Sequence, residues 1–215
     1  MEQPDELERR RRGRPRKGDP KTSHQRLIST ARQVFARRGY GGTSLQEVAE
    51  RAGVSRPAVS YYFPEGKLQL YWAVTEAIYC DVLKPAIDRA GEKSTLVDQI
   101  SVFLNVAGHA VVDDMPAAAF LCTSATECQS HPELRHPHHD PVTAARRFLT
   151  LAVNEAVGRG ELSADTEQPP LVATLLAMLG GIGFYAAFVG EPKQVNAIAA
   201  QIHQQLTGGL PAGSL

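Results

Sequence analysis

Between residues 120 and 140 the chain gathers the side chains best able to hold a metal or exchange electrons: Cys122, Cys128, His131, His136, His138, His139 and Asp140. Thiolate, imidazole and carboxylate are all ligands of transition metals. Ligand types without ligand geometry are weak grounds for a site, however. No pair falls at i, i+4 on a well-defined helical stretch, and Pro132, Pro137 and Pro141 interrupt the run. The segment therefore reads as a polar connection between helices, with no metal bound. Cys122 and Cys128 could form a redox pair, but no cationic neighbours favour a thiolate there, and cysteine serves more commonly as a small apolar residue. No nucleophile elbow, phosphate-binding glycine loop or dinucleotide fingerprint is present. An enzyme is not expected, and neither is a cofactor.

A different chemistry is written at residues 9 to 17, "RRRRGRPRK", where seven of nine side chains are basic. The net charge of the whole chain is zero. Dividing it after Trp72 gives fifteen Lys and Arg against eight Asp and Glu on the N-terminal side, and eight against fifteen beyond it. A positive first part joined to a negative remainder points to a polyanion met at one end. Residues 1 to 20 contain a single aliphatic side chain, Leu7, which cannot build a core, so a disordered arm is expected. Within it, "RGRPRK" is similar to an AT-hook. Pro15 favours extension, Gly13 permits close approach, and Arg12, Arg14 and Arg16 suit the negative potential of a narrow A·T minor groove. A solvated basic tail that attracts phosphate without insertion is the other reading.

The elements that follow are helical. Leu27, Ile28, Ala31, Val34 and Phe35 share one face of a helix expected over 23–38, started by Thr22 or Ser23 and stopped by Gly39. Two short helices follow in "TSLQEVAERAGVSRPAVSYYF". Thr43 with Gln46, or Ser44 with Glu47, can form a capping box; Gly53 can turn the chain, and Ser55 can cap a second helix that tolerates Pro57 in its first turn. Ala49, Gly53 and Val59 meet the steric needs of a helix-turn-helix: a small residue at the crossing, a glycine at the bend, a branched anchor beyond it. A long helix is predicted over 67–90, bent at Pro85, then others near 95–112, 116–128, 141–159, 169–189 and 192–206. No strand-like alternation or internal repeat appears, so the fold is expected to be all-α.

These residues resemble the TetR-type transcriptional repressors, most closely over 24–72, through "FARRGY", "GTSLQEVAERAGVS", "YYF" and the downstream lysine. Beyond 72 the resemblance lies in length and helical pattern, including "FLCTSATECQSHPELR" and "GELSAD". It implies an N-terminal three-helix DNA-binding domain at 21–67, preceded by the arm at 1–20. A helical domain at 68–215 would bind ligand and dimerise. It further implies that Thr43, Ser44, Tyr61, Tyr62 and Lys67 contact phosphate, while Arg56, Pro57, Ala58 and Ser60 face base edges and Ser55 opens the recognition helix. Two positions depart from the family's pattern: Ser60 stands where many members carry tyrosine, and "FPEGK" is one residue longer than the familiar "FPSK". Arg56 is the side chain able to grip guanine in two places.

The partners expected are double-stranded DNA, a second copy of the chain, and an unidentified, largely apolar small molecule. Phe103, His109, Phe120, Cys122, Thr126, Phe148, Met178, Phe184 and Tyr185 are the candidate lining of its pocket. Residues 171 to 190 run without a charge for about the length of a membrane span. Acidic flanks and small residues at Ala173, Ala177 and Gly181 favour instead a helix buried on all sides by fold and partner. With three scattered cysteines and no signal-peptide pattern, the expected setting is the cytoplasm, with no membrane partner.

Overall fold

The computed structural model describes residues 20–135, 140–189 and 193–208. Among the described residues ten α-helices account for the fold, and no strand occurs. Helix α1 (Pro20–Arg38) starts a turn earlier than Thr22 or Ser23 would have it. Proline suits that place, because its fixed φ is already helical and its missing N–H would have had no partner. Leu27, Ala31, Val34 and Phe35 are buried, as their spacing predicts. Helices α2 (Leu45–Ala52) and α3 (Arg56–Tyr62) follow, then α4 (Lys67–Ile78).

The single helix expected over 67–90 is broken. After α4 comes a π-helical turn, Tyr79–Leu83, and then α5 (Lys84–Gly91). The Lys84 N–H reaches back five residues to the carbonyl of Tyr79. Pro85 would clash with the carbonyl four residues behind it in a regular helix, and the widened turn relieves that clash. The irregularity therefore lies just before Pro85, with Asp81 at its centre.

Helices α6 (Leu96–Asp113), α7 (Met115–Ser130) and α8 (Pro141–Gly158) each carry a side-chain cap: Thr95 accepts from the Asp98 N–H, Asp114 from that of Ala117, and Asp140 from that of Val142. A short 3₁₀ turn, Pro132–Leu134, lies between α7 and α8. Helix α9 (Gln168–Phe184) runs on through a π-helical turn, Tyr185–Val189, and α10 (Lys193–Gly208) ends the described chain.

Two cores hold these helices. The first joins Leu27, Phe35, Val48, Val59, Leu70 and Ile78 to Ala117, Ala118 and Phe120 of α7. Phe35 meets the rings of Tyr71 at 5.2 Å and Phe120 at 6.3 Å between centroids. The second gathers Leu83, Ala86, Phe103, Leu149, Val153 and Leu175 from the π-turn and α5, α6, α8 and α9. Packing thus does not divide at residue 67: the apolar face of α4 is needed to close the three-helix unit, and α7 completes the same core.

Across that seam runs one polar link. Arg32 of α1 donates to Asp81 in the π-turn at 2.8 Å and to Asp114, the cap of α7. Arg32 is almost wholly buried, and its Nε has no partner, so the two carboxylates are what make its charge tolerable. Asparagine caps a helix as well as aspartate does, so Asp114→Asn isolates the charge. We expect it to lower stability by about 1.5 to 3 kcal/mol, the range for a hydrogen bond to a charged group. Asp114→Ala should cost about 1 kcal/mol more through removal of the cap. Urea unfolding of the two variants and the parent checks both figures.

Candidate nucleic-acid interface and ligand clefts

The α2–turn–α3 unit is built by caps and one left-handed glycine. Ser44 is the N-cap of α2 and accepts from the Glu47 N–H at 3.1 Å, while the Glu47 carboxylate pairs with Arg38 and Arg51, so only the serine half of the Ser44–Glu47 box is used. Gly53 sits at φ 65°, where its N–H bonds the Glu50 carbonyl and the Val54 N–H the Ala49 carbonyl. Any other residue there would set its Cβ against the following carbonyl. Ser55 caps α3 by accepting from the Ala58 N–H at 3.3 Å, and Val59 is fully buried beneath.

The outer face of α3 carries Arg56, Pro57, Ser60 and Tyr61, all exposed, with Ala58 half-buried. Tyr61 is 80% exposed, whereas Tyr62 is half-buried with its ring edge against His24 at 5.6 Å. The Arg56 guanidinium donates to the Ser60 hydroxyl at 2.7 Å, one turn on, which braces the long side chain over the helix. A groove of about 400 Å³ brings Ser44, Gln46, Arg56 and Lys67 together at the N-terminus of α2. Free backbone N–H groups and a guanidinium there suit a phosphate.

Two expected phosphate ligands, Thr43 and Lys67, border the same groove but are also engaged within the fold. Thr43 is buried and its hydroxyl donates to the Gly39 carbonyl at 2.7 Å, so it staples the turn before α2. The Lys67 ammonium donates to the carbonyls of Tyr40 at 2.8 Å and Thr43 at 3.1 Å and lies 4.3 Å over the Tyr40 ring. It is a strut of that turn, with one N–H left for an external anion. Gly66 of "FPEGK", at φ 79°, precedes α4, from whose first residue the Lys67 side chain turns back to Tyr40 and Thr43. Arg12, Arg14 and Arg16, expected to meet DNA from the arm, lie outside the described residues.

Two clefts open among the later helices. One, of about 300 Å³, is apolar, with Phe103, Leu121, Cys122, Leu176, Leu179 and Phe184 on its walls. The other, of about 440 Å³, is bordered by Tyr71, Trp72, Ser124, Cys128, Arg135 and Asp140. They adjoin at Ala125 and Pro141, which border both. Of the expected pocket residues Phe103, Cys122 and Phe184 line the apolar cleft. The rest are corrected. Phe120 belongs to the first core; Phe148 is buried behind Phe103, stacked at 5.2 Å. His109 and Thr126 are exposed on the outside of their helices, the former donating from Nδ1 to the Asn105 carbonyl. Met178 is half-buried away from both clefts, and Tyr185 hydrogen-bonds Gln194 of α10.

The chain's own fold covers only part of helix α9. Ala173, Ala177, Gly180, Gly181, Phe184 and Phe188 form an exposed stripe, the two phenylalanines at 53% and 51%. The span Gln168–Val189 is long and apolar enough to cross a membrane, at a mean hydropathy of 2.0. A shallow groove of about 520 Å³ runs beside the stripe between α8 and α9, past Arg146, Thr150, Val172 and Leu176.

Residues 27–74, from α1 into α4, match the family described as bacterial regulatory proteins, tetR family. The transcriptional regulator TtgR of Pseudomonas putida is 25% identical over 172 residues, 77% of this chain and 80% of its own. The chain is a TetR-type transcriptional regulator. The activator FasR of Mycolicibacterium smegmatis is 44% identical, but over 50 residues, 23% of this chain and 22% of that protein. Among solved structures, the fatty acid degradation regulator FadR of Bacillus halodurans superposes with a TM-score of 0.73 at 18% identity, covering 88% of this chain and 96% of that one. FadR of Bacillus subtilis, in complex with stearoyl-CoA, gives 0.72 at 14%, covering 87% and 99%. These likenesses extend the shared all-helical fold beyond the N-terminal helices.

Among the described residues of the regulator no three His, Cys, Asp or Glu side chains gather as a metal site. His131 packs its ring on Tyr40 at 5.0 Å, while His136, His138 and His139 lie outside the described residues. Burial pushes the Cys122 thiol up from its usual range, and burial followed by Asp140 does the same for Cys128, which favours the protonated thiol over the thiolate. Sequence reasoning passed over Tyr71, Trp72 and Arg32 as ordinary helix residues. Arginine amid the apolar face of α1 was the signal available for the last. If Lys67 is a strut, Lys67→Met should lower stability by about 1 to 3 kcal/mol as two carbonyls lose their donor. A lysine serving phosphate alone would leave thermal unfolding of the free protein unchanged.

Proposed function

We propose that this regulator is a homodimeric repressor that binds a pseudo-palindromic operator and is released from it by a largely apolar small molecule. The observation that carries the reading is continuity: α4 begins at Lys67 beneath the helix-turn-helix, and its extension through the π-turn supplies Val82 and Leu83 to the apolar cleft. A ligand that favours one placement of this element over another would shift the recognition helices with it. Arg56, Pro57 and Ser60 read base edges in this scheme, Ser44, Tyr61 and the groove by Lys67 hold phosphate, and the basic arm adds affinity.

The exposed stripe of α9 supports the dimer. Small residues let a second helix approach closely, and the aromatic end supplies area. A partner copy removes this surface from water, and two recognition helices then address half-sites about 34 Å apart. The cytoplasm, where the DNA lies, is the setting that follows. Phe184→Glu together with Gly181→Arg should convert the dimer to monomers at micromolar concentration, as sedimentation velocity would show; unchanged sedimentation would remove α9 from the interface.

The test of the function itself is selection of bound sequences from random duplex DNA, with the full chain and with a chain beginning at Lys21. Both should recover the same palindrome, while removal of the arm flattens the slope of log affinity against log salt by up to about 0.9 for each phosphate that the arm neutralises. Arg56→Ala should relax one position in each half-site by about 1 to 3 kcal/mol. Recovery of A·T-rich runs without a palindrome would replace the repressor reading with an architectural one.

A further inference from the structure

The polar cleft contains one group that the fold leaves unsatisfied. Tyr71 is 3% exposed, its ring held by Phe35, Tyr40 and Phe120 at 5.2, 5.5 and 4.9 Å, yet its hydroxyl is buried without a hydrogen-bond partner. Tyr71 itself borders the cleft beside Cys128 and Asp140, with its hydroxyl enclosed in the wall. A buried donor with no acceptor is costly to keep, and such orphans mark places where a missing partner belongs. The neighbouring hydroxyls are already engaged: Thr75 donates to the Tyr71 carbonyl, Ser124 to that of Leu121, and Thr143 to Asp140. Burial first, then Cys128, Glu127, Asp140 and Tyr40, hold the phenol in its protonated form. It is a donor waiting for an acceptor.

The charge of that acceptor follows from the wall. Arg135 and Asp140 both border the cleft and offset one another, and Glu127 adds negative charge near the phenol. No surplus of cations is present among the described residues of the wall to hold an anion out of water. The adjoining apolar cleft, reached past Ala125 and Pro141, offers Phe103, Leu121, Leu176 and Leu179 to a hydrocarbon body. Together the clefts have the size of sites that hold small ligands, about 300 to 1,000 Å³.

We infer that Tyr71 is the head-group anchor of the ligand site, donating its hydroxyl to the oxygen of a neutral, carbonyl-bearing amphiphile whose apolar body occupies the adjoining cleft. The inference rests on the ligand-released reading and names the class of molecule. It also places the head where release can begin. Tyr71 lies one turn after Lys67, and its ring touches Tyr40, whose carbonyl Lys67 holds. A ligand that draws the phenol toward the cleft pulls on the same turn that precedes the first helix of the DNA-binding motif.

The test uses the full chain without DNA, 2-octanone as probe and octanoate as its anionic counterpart, with emission of Trp72 as the readout. Trp72 borders the cleft and is the single tryptophan of the sequence. The expected result is a saturable titration by 2-octanone, weaker binding of octanoate, and a drop of at least about fivefold in 2-octanone affinity for Tyr71→Phe, the worth of one hydrogen bond. Tyr71→Phe should at the same time raise the unfolding temperature of the ligand-free protein, because the orphan hydroxyl is gone. Equal affinity in Tyr71→Phe, tighter binding of octanoate, or no saturation by 2-octanone would overturn the proposal. A Tyr71→Phe chain that is less stable, or does not fold, would overturn it as well, since the hydroxyl must then have a partner within the fold. Because no DNA is present, these outcomes are separate from failure of release at the operator, which a DNA-binding assay with the same probe reads on its own.

Discussion

The buried guanidinium of Arg32, shared between Asp81 and Asp114, is the constraint from which most of the coupling in this regulator follows. A cation removed from water must be paired, and here its partners come from two different elements beyond the DNA-binding helices. Asp81 is available because Pro85 forces a widened turn just ahead of itself, and Asp114 is available because α7 begins there and needs a cap. Three local necessities, a proline, a cap and a buried charge, thus resolve one another at a single point. The consequence is that α1 cannot shift against α7 without exposing or stranding a charge.

Around that point the first core ignores the division suggested by function. Phe35 of α1, Tyr71 of α4 and Phe120 of α7 form one aromatic cluster, so the helices that address DNA and the helix that walls both clefts share their packing. Dense cores resist continuous deformation and respond to strain by moving packed elements as units. Lys67 extends the series to Tyr40 and the turn before α2. The connection between cleft and DNA face is therefore a short physical chain in which every member is named.

The outer surface shows what a single chain leaves undone. One stripe of an uncharged helix, small residues ending in phenylalanines, stays uncovered by the chain's own fold. Apolar patches of that continuity are uncommon on a monomer and mark a place of association. The same small residues that weaken a helix in isolation make close approach by another helix possible.

Much of this was legible in the sequence because it depends on local rules. Helix faces followed from the spacing of Leu27, Ala31, Val34 and Phe35, the DNA-binding motif from caps and the left-handed Gly53, and the polyanion partner from charge imbalance. Those features need only neighbours a few residues away, so periodicity and turn chemistry determine them, and the family resemblance rests on the same residues. What the tertiary structure alone decided are meetings between distant positions: Lys67 and Thr43 turned inward on Tyr40 and Gly39, Arg32 clasped by residues far along the chain, Phe120 assigned to one core and Cys122 to the cleft. A helical rotation of a fraction of a turn moves a side chain from cavity to core, and no local pattern specifies that rotation. Tyr71 illustrates the limit. Its burial could be read from the helix face, but the cleft it borders exists only where α4, α7 and the start of α8 come together.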